Sequence, residues 1–222
     1  NIIVVEDSAE SLGSFYRNIH TGNFGLSGIF SFNGNKIMTT GGEGGMVTTN
    51  DENLYHMLDS IRNHGRPDST LGQYEHIRFG LNLRITDLGS AIGRIQLQKL
   101  PMFNIKREQN ANRYLRELKD VQGITLPSYP EEFHHVWHQF TIRSTNRESL
   151  SEFLTSQGIE TRTYYPRLIQ DYPHLEQNRT SCVVAEKVVS EVISLPVHPG
   201  LSQEDVNHII SSVKKMVTEV LF

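Results

Sequence analysis

The chain has 222 residues, 37% hydrophobic and 21% charged, an ordinary composition for a globular protein of one large domain or two small ones. A formal net charge of −4 gives no footing for nucleic acid or an anionic membrane surface, and no apolar run approaches the length of a membrane span. The single cysteine, Cys182, excludes an internal disulfide framework and fits a reducing, cytoplasmic compartment, and no signal peptide is visible.

The first half reads as α/β. Ile2-Ile3-Val4-Val5 is an apolar run too short for a helix, so it is expected to be a buried strand, and it runs straight into Glu6-Asp7. Such a strand takes neighbours on both sides, so the chain is expected to begin inside a domain; a trimmed start or an edge strand are the alternatives. Ser27–Phe32 and Gly45–Thr49 are further strands, the second closed by Asn50-Asp51. From about Glu52 a helix places Leu54, Met57, Leu58 and Ile61 on one face, and Gly65 and Pro67 end it. Thr86 is a good N-cap for a second helix with Leu88, Ala91, Ile92 and Ile95 inward, and Pro101 breaks or kinks it. A third helix spans roughly 104–120 on Ile105, Tyr114, Leu115 and Leu118.

Gly123–Pro130, rich in turn residues, reads as a boundary between a domain at 1–122 and a smaller α+β unit at 123–222. In that unit Val136–Ile142 alternates like a strand, Arg147–Gln157 looks helical with Gly158 ending it, Gly158–Tyr165 reads as a strand and Val183–Ile193 as a helix. Ser202-Gln203-Glu204-Asp205 opens a final helix as a capping box. Val206, Ile209, Ile210, Val213, Met216, Val217 and Val220 then form one stripe, expected to be a core face.

The chemistry concentrates in residues 29–45 and at Glu6-Asp7. An isolated loop lysine is ordinarily a solvated surface charge, but Lys36 follows an apolar strand and is flanked by small residues that let a ligand approach the backbone. Asp7 alone would read as a turn or cap residue, yet it lies just past the carboxyl end of a strand, where α/β sheets bind ligands. Ser31 adds a hydroxyl five residues before the lysine. An amine for a Schiff base, a carboxylate for a ring nitrogen and a phosphate ligand together suit pyridoxal phosphate. The glycines from Gly41 to Gly45 match neither the Walker nor the dinucleotide spacing and are expected to shape a turn after Lys36. His134, His135 and His138 resemble a metal cluster, but 134 and 138 share a face only on a helix whereas Val136–Ile142 reads as a strand, and there is no cysteine partner and no HExxH pattern, so no metal site is expected. No GxSxG nucleophile elbow is present.

Several runs resemble one family. They are Val5-Glu6-Asp7-Ser8-Ala9-Glu10-Ser11-Leu12-Gly13-Ser14, Phe30-Ser31-Phe32-Asn33-Gly34-Asn35-Lys36 and Thr39-Thr40-Gly41-Gly42-Glu43-Gly44-Gly45-Met46. Gly80-Leu81-Asn82-Leu83-Arg84-Ile85-Thr86-Asp87, Gly158-Ile159-Glu160-Thr161-Arg162, Tyr165-Pro166 and Ser194-Leu195-Pro196-Val197-His198-Pro199-Gly200-Leu201-Ser202 follow in the same order. Together they resemble the DegT/DnrJ/EryC1/StrS sugar aminotransferases over essentially the whole chain. The resemblance implies a fold-type I (aspartate aminotransferase-like) architecture, here the C-terminal part of the large domain plus the small C-terminal domain. It implies that Lys36 forms the Schiff base with pyridoxal phosphate and carries the proton between substrate and cofactor carbons. Asp7 would pair with the pyridine nitrogen, Glu10 would lie close to the ring and Ser31 would bind the phosphate. Asn82 would reach the phosphate of the neighbouring subunit's cofactor, making a homodimer the active unit, and Arg84 would line the same shared site. The implied reaction is ping-pong transfer of an amine, from L-glutamate, to a nucleotide-linked keto-sugar for amino-sugar and polysaccharide pathways.

Two departures bear on this. Gln170 stands where the family has a histidine four residues after the Tyr-Pro, near the sugar site, so it bears on substrate identity. The family's N-terminal portion, with a phosphate-gripping helix start and a ring-stacking aromatic, has no counterpart in the sequence, so weak cofactor retention and a fragment of a longer enzyme are expected. Three alternatives stay open. A related dehydratase would replace the Schiff-base lysine with histidine, which Lys36 argues against. A catalytically silent or incomplete subunit is the second. A nucleotide-binding module built on the glycine run is the third.

Overall fold

The structure, a computed structural model, describes residues 2–67, 74–178 and 180–220. In chain order its elements are β1 (Val5–Asp7), β2 (Phe15–Tyr16), β3 (Ile19–His20), β4 (Ser27–Ser31), β5 (Gly45–Thr48), α1 (Glu52–Arg62), α2 (Asp87–Glu117), β6 (Ile124–Thr125), β7 (Phe133–His134), β8 (Phe140–Ser144), α3 (Arg147–Ser156), α4 (Val183–Glu191), β9 (Val192–Leu195) and α5 (Gln203–Val220), with short 3-10 turns at Ile169–Asp171 and Pro173–Asn178. The chain separates into two compact units, Asn1–Asn104 with Glu131–Val136, and Ile105–Pro130 with Trp137–Phe222.

The first unit holds two small sheets. In one, β4 lies between β1, which runs parallel to it, and β5, which is antiparallel. The parallel pairing aligns Val5 with Ser27 and Asp7 with Ile29, and Ser8 extends it by donating its N–H to the Ile29 carbonyl at 2.9 Å. The other sheet orders β3, β2 and β7, all antiparallel. Arg17 and Asn18, at φ 46° and 66°, make the two-residue turn between β2 and β3, a left-handed pair whose twist suits a tight hairpin. The sequence carries no Asn-Gly or Asp-Gly there, which is why this hairpin is not legible from it.

Two expectations for this unit are corrected. Ile2–Val5 is not a buried strand: regular pairing begins only at Val5, among the described residues β1 pairs with β4 alone, and Ile2 to Val5 are exposed. The expected inward face of the second helix is also displaced, because Leu88, Ala91, Ile92 and Ile95 are all exposed. The buried positions are Gly89, Gly93 and Leu100. A Cβ at Gly93 would stand 3.0 Å from the Thr40 methyl, so the helix lies against residues 38–40 by close backbone approach rather than through large side chains.

The N-cap expected at Thr86 is present, and the structure adds a second at Asp51. Thr86 Oγ1 accepts the Gly89 N–H at 3.1 Å and opens α2, and Asp51 does the same for α1 through Leu54 at 2.8 Å. The break at Pro101, with a separate helix over 104–120, is a further expectation corrected, for α2 runs unbroken from Asp87 to Glu117 through Pro101. A proline in a helix interior costs about 3 kcal/mol or more. The far half of α2 offsets this by burying Ala111 and Tyr114 completely in the core of the second unit, as Leu118 is just beyond it.

That second unit is an antiparallel sheet, β6-β8-β9, sharing one core with α3, α5 and the far half of α2. In β8, Phe140, Ile142 and Ser144 alternate inward, and the whole of β9 is buried. From α5 come Val206, Ile209, Ile210, Val213 and Met216, the expected stripe, whose last member Val220 has its side chain outside the described residues. The capping box forms as read: Ser202 N–H donates to Asp205 Oδ2 at 2.8 Å, and Asp205 N–H donates to Ser202 Oγ at 3.0 Å. Three strand boundaries differ. The strand placed at Val136–Ile142 is β8, which begins four residues later and ends two later. The helix placed at Val183–Ile193 ends at Glu191, because Val192 and Ile193 pair with Arg143 and Ile142 in the sheet. Gly158–Tyr165 forms no strand: its one ladder contact is an isolated bridge from Arg162 to Ser194.

Tyr114 anchors this core. It is fully buried, its ring lies 5.0 Å from that of Phe140, and its hydroxyl donates to the Pro196 carbonyl at 2.7 Å. Burial pushes the phenol well above its ordinary range. Tyr114→Ala should destabilise this unit by about 3–5 kcal/mol through the cavity and the orphaned carbonyl. Urea unfolding followed by circular dichroism measures it, and a loss below about 1 kcal/mol would contradict this packing role. Arg107, also buried, donates from one guanidinium nitrogen to the carbonyls of Trp137 and His138 at 3.0 and 3.1 Å. It thereby holds the turn in which Trp137 takes a φ of 54°, and burial pushes its guanidinium down to about 10.

Candidate active site

Because β1 and β4 are parallel, both finish on the same sheet edge. Asp7 closes β1 and is level with Ile29; Ser31 closes β4 two residues further on, about 6–7 Å along at the usual rise. Asp7 is exposed rather than buried as its sequence context suggested, and its Oδ1 accepts the Ala9 N–H at 3.1 Å in a turn that carries the chain towards Glu10. The Ser31 hydroxyl accepts the Asn33 N–H at 3.4 Å.

Lys36 sits on the loop that joins β4 to β5. Its N–H donates to the Asn33 carbonyl at 3.0 Å, and Asn33 Oδ1 accepts the Asn35 N–H at 3.1 Å, so the asparagine shapes the turn before the lysine. The next two residues are the anchors. Ile37 is buried with Leu100 and Val136, and Met38 with Phe30 and Phe32. Phe32 closes the loop by donating to the Gly44 carbonyl at 2.8 Å and accepting from the Thr40 N–H at 3.1 Å. Gly41 turns the chain back at φ 82°, a conformation in which a side chain is strained. The glycine run therefore shapes the loop behind the lysine, as its spacing indicated.

Held in this way, the Lys36 side chain is only 17% exposed, and its Nζ lies 3.0 Å from Glu10 Oε1. The structure thus joins Lys36 to Glu10 directly and places Asp7 and Ser31 on the adjoining strand ends. It groups Asn82 and Arg84 separately. Arg84 Nε donates to Asn82 Oδ1 at 3.2 Å and its Nη1 to Asn63 Oδ1 at 3.0 Å, while Leu81 and Leu83 donate to the Ile61 and Arg62 carbonyls at the end of α1. Among the described residues, the hydrogen bonds of Asn82 and Arg84 run to each other and to Asn63, not to Lys36 or Asp7. Gln170 belongs to the second unit, where its amide clamps Thr180 by donating to that residue's carbonyl at 2.5 Å and accepting its N–H at 2.9 Å.

Sequence reasoning missed Glu6. Its carboxylate accepts N–H groups from Gly22 at 2.6 Å, Gly25 at 2.7 Å and Phe24, tying the 22–25 loop, which leads into β4, to β1. Burial pulls this carboxyl upward, but the three N–H donors outweigh it and hold it below the usual carboxylate range. The available signal was strand alternation, which turns Glu6 to the face opposite Asp7. Among the described residues no group of three or more His, Cys, Asp or Glu side chains could hold a metal, and no helix is long and apolar enough to cross a membrane.

A family model, that of the DegT/DnrJ/EryC1/StrS aminotransferase family, matches residues 1–214. The chain belongs to this family. DegT/DnrJ/EryC1/StrS members are pyridoxal-phosphate-dependent aminotransferases of fold-type I, and the mixed α/β structure here is part of that fold. Among its relatives is the erythromycin biosynthesis sensory transduction protein EryC1 of Saccharopolyspora erythraea, 36% identical over 96% of this chain and 58% of its own length. Another is the UDP-N-acetyl-3-dehydro-alpha-D-glucosamine 3-aminotransferase of Acidithiobacillus ferrooxidans, 34% identical over 96% of this chain and 56% of its own length. The solved structure of S. venezuelae DesV with a ketimine intermediate superposes with a TM-score of 0.90 at 32% identity, over 97% of this chain and 58% of that one. The chain thus spans a little under three-fifths of the length of the relatives it matches. The side chains brought here, a sheltered amine at Lys36, a carboxylate at Asp7 and a strand-end hydroxyl at Ser31, are of types that fit the family's cofactor.

Proposed function

We propose that this chain carries the covalent centre of a pyridoxal-phosphate-dependent sugar aminotransferase. The observation that carries the reading is the amine of Lys36, mostly sheltered and held 3.0 Å from Glu10, beside the joint carboxyl edge of β1 and β4. When bound, pyridoxal phosphate supplies an aldehyde and a ring that withdraws electrons. Lys36 holds that aldehyde carbon and moves the substrate proton, Asp7 keeps the ring nitrogen protonated, Ser31 takes the phosphate and Glu10 stands beside the ring. The amino donor is L-glutamate and the acceptor a nucleotide-linked keto-sugar, a reading supported by relatives named for UDP- and dTDP-linked sugars. Asn82 and Arg84, grouped apart from Lys36, serve the neighbouring subunit's site in a homodimer. Gln170 shapes the sugar-side loop. Residues 1–122 are the cofactor-binding portion and 123–222 the small domain. The lone exposed Cys182 suits a reducing cytoplasm.

The test is direct. The purified protein is mixed with pyridoxal phosphate, reduced with borohydride and digested for mass spectrometry. The label is expected on Lys36; a label confined to other lysines, or none, rejects the assignment.

A further inference from the structure

We propose that Glu6 is the register lock of β1, a positioning residue that decides at which level and on which face of the sheet Asp7 is presented to the cofactor. The inference rests on the cofactor reading above and gives Glu6 a part in it. β1 pairs with β4 over three residues only, Val5 with Ser27, Glu6 with Gly28 and Asp7 with Ile29. The Leu26 N–H donates to the Val4 carbonyl at 2.8 Å and the Ser8 N–H to the Ile29 carbonyl at 2.9 Å, closing the two ends. A backbone ladder repeats every two residues, so by itself it does not select one register. A slip by one residue would turn Asp7 to the opposite face, and a slip by two would carry it about 6–7 Å along the strand.

A side chain makes the selection. Glu6 stands opposite Gly28, and the 22–25 loop packs against the sheet there: a Cβ at Gly28 would lie 2.4 Å from the Gly22 Cα. That loop is held without help from β1. Gly22 lies against the ring of buried Phe30, where a Cβ would stand 2.6 Å from Cζ. Thr48 Oγ1 donates to the Gly22 carbonyl at 3.4 Å, and Thr49 Oγ1 to the Leu26 carbonyl at 2.7 Å. Against this frame one Glu6 carboxylate oxygen takes the Gly22 N–H at 2.6 Å, and the other takes those of Phe24 and Gly25. Hydrogen bonds to an ionised acceptor are about twice as strong as neutral ones. After a two-residue slip, Val4 or Ser8 would stand opposite Gly28, and neither has a carboxylate to offer. The three bonds therefore distinguish the observed register from those that the ladder alone would accept.

The experiment compares the wild type with Glu6→Gln, Asp7→Asn and the double variant. Glutamine keeps the size of the side chain, but its amide NH2 replaces one accepting oxygen. In the cofactor-free protein, amide hydrogen exchange followed by NMR should find Gly22, Phe24 and Gly25 protected in the wild type and exchanging about tenfold faster in Glu6→Gln. Titration with pyridoxal phosphate should then show affinity about tenfold weaker in Glu6→Gln, the worth of one hydrogen bond to a charged group. The NMR signal of an isotope-labelled ring nitrogen should move towards its unprotonated position, as it does in Asp7→Asn. Because Glu6 acts through Asp7, Glu6→Gln should change the affinity by less than about threefold in the Asp7→Asn background. A purely structural glutamate would weaken both backgrounds equally. Equal losses in the two backgrounds, or a ring-nitrogen signal unmoved in Glu6→Gln, overturn the register lock and leave the cofactor assignment standing. So do unprotected Gly22, Phe24 and Gly25 amides in the wild type, a result that needs no folded variant. Absence of any Lys36 label after borohydride reduction overturns both.

Discussion

Lys36→Ala is expected to abolish transamination. In the proposed function the side chain has two jobs, holding the cofactor's aldehyde carbon and moving a proton between carbon atoms. Loss of a positioned acid–base group alone typically costs about 10²–10⁴-fold, and loss of the covalent link adds to it. Fold should survive, because the buried anchors of this loop are Ile37 and Met38, and alanine leaves both in place. Glu10 then loses a partner that it holds at its half-exposed surface, where an ion pair contributes little stability. Steady-state turnover and urea unfolding are to be measured side by side. Turnover within tenfold of wild type, with the fold intact, would remove Lys36 from the chemistry.

The second large effect is expected at Asp7. Asp7→Asn keeps the oxygen that accepts the Ala9 N–H at 3.1 Å, so the turn from β1 towards Glu10 should be retained. What would disappear is the charge proposed to keep a pyridine nitrogen protonated. Removing one preorganised electrostatic contact of this kind costs about 10²–10³-fold in kcat, and that is the expected loss here. The effect should fall on kcat and on the absorbance of bound cofactor, with KM for the sugar little changed. A kcat within threefold of wild type would take Asp7 out of the site.

These two residues were singled out because strand ends announce themselves locally. An apolar run followed by an acid, and another followed by an asparagine turn and a lysine, need only backbone preferences to be recognised. The helix starts at Thr86 and at Ser202–Asp205 were legible for the same reason: a cap is satisfied by N–H groups two or three residues away. Glu6 was not, because its three partners lie 16 to 19 residues further on, and strand alternation gives its face but not the loop it meets. The face of α2 failed differently. Its large residues Leu88, Ile92 and Ile95 suggested the buried side, whereas close approach to Thr40 requires the smallest residues, so Gly89 and Gly93 are the ones within.

The sequence by itself determined the family, the strand ends and the lysine-bearing loop on which the proposed centre is placed, and the capped helices, since each depends on interactions a few residues long. Tertiary structure alone decided that α2 continues through Pro101, because burial of Ala111 and Tyr114 outweighs the missing hydrogen bond. It decided likewise that Val192 and Ile193 leave their helix for β9, where the sheet buries them fully, and that Glu10 rather than Asp7 or Glu43 meets the lysine. In each of those cases the deciding partner is distant along the chain, and a local pattern carries no term for the energy it supplies.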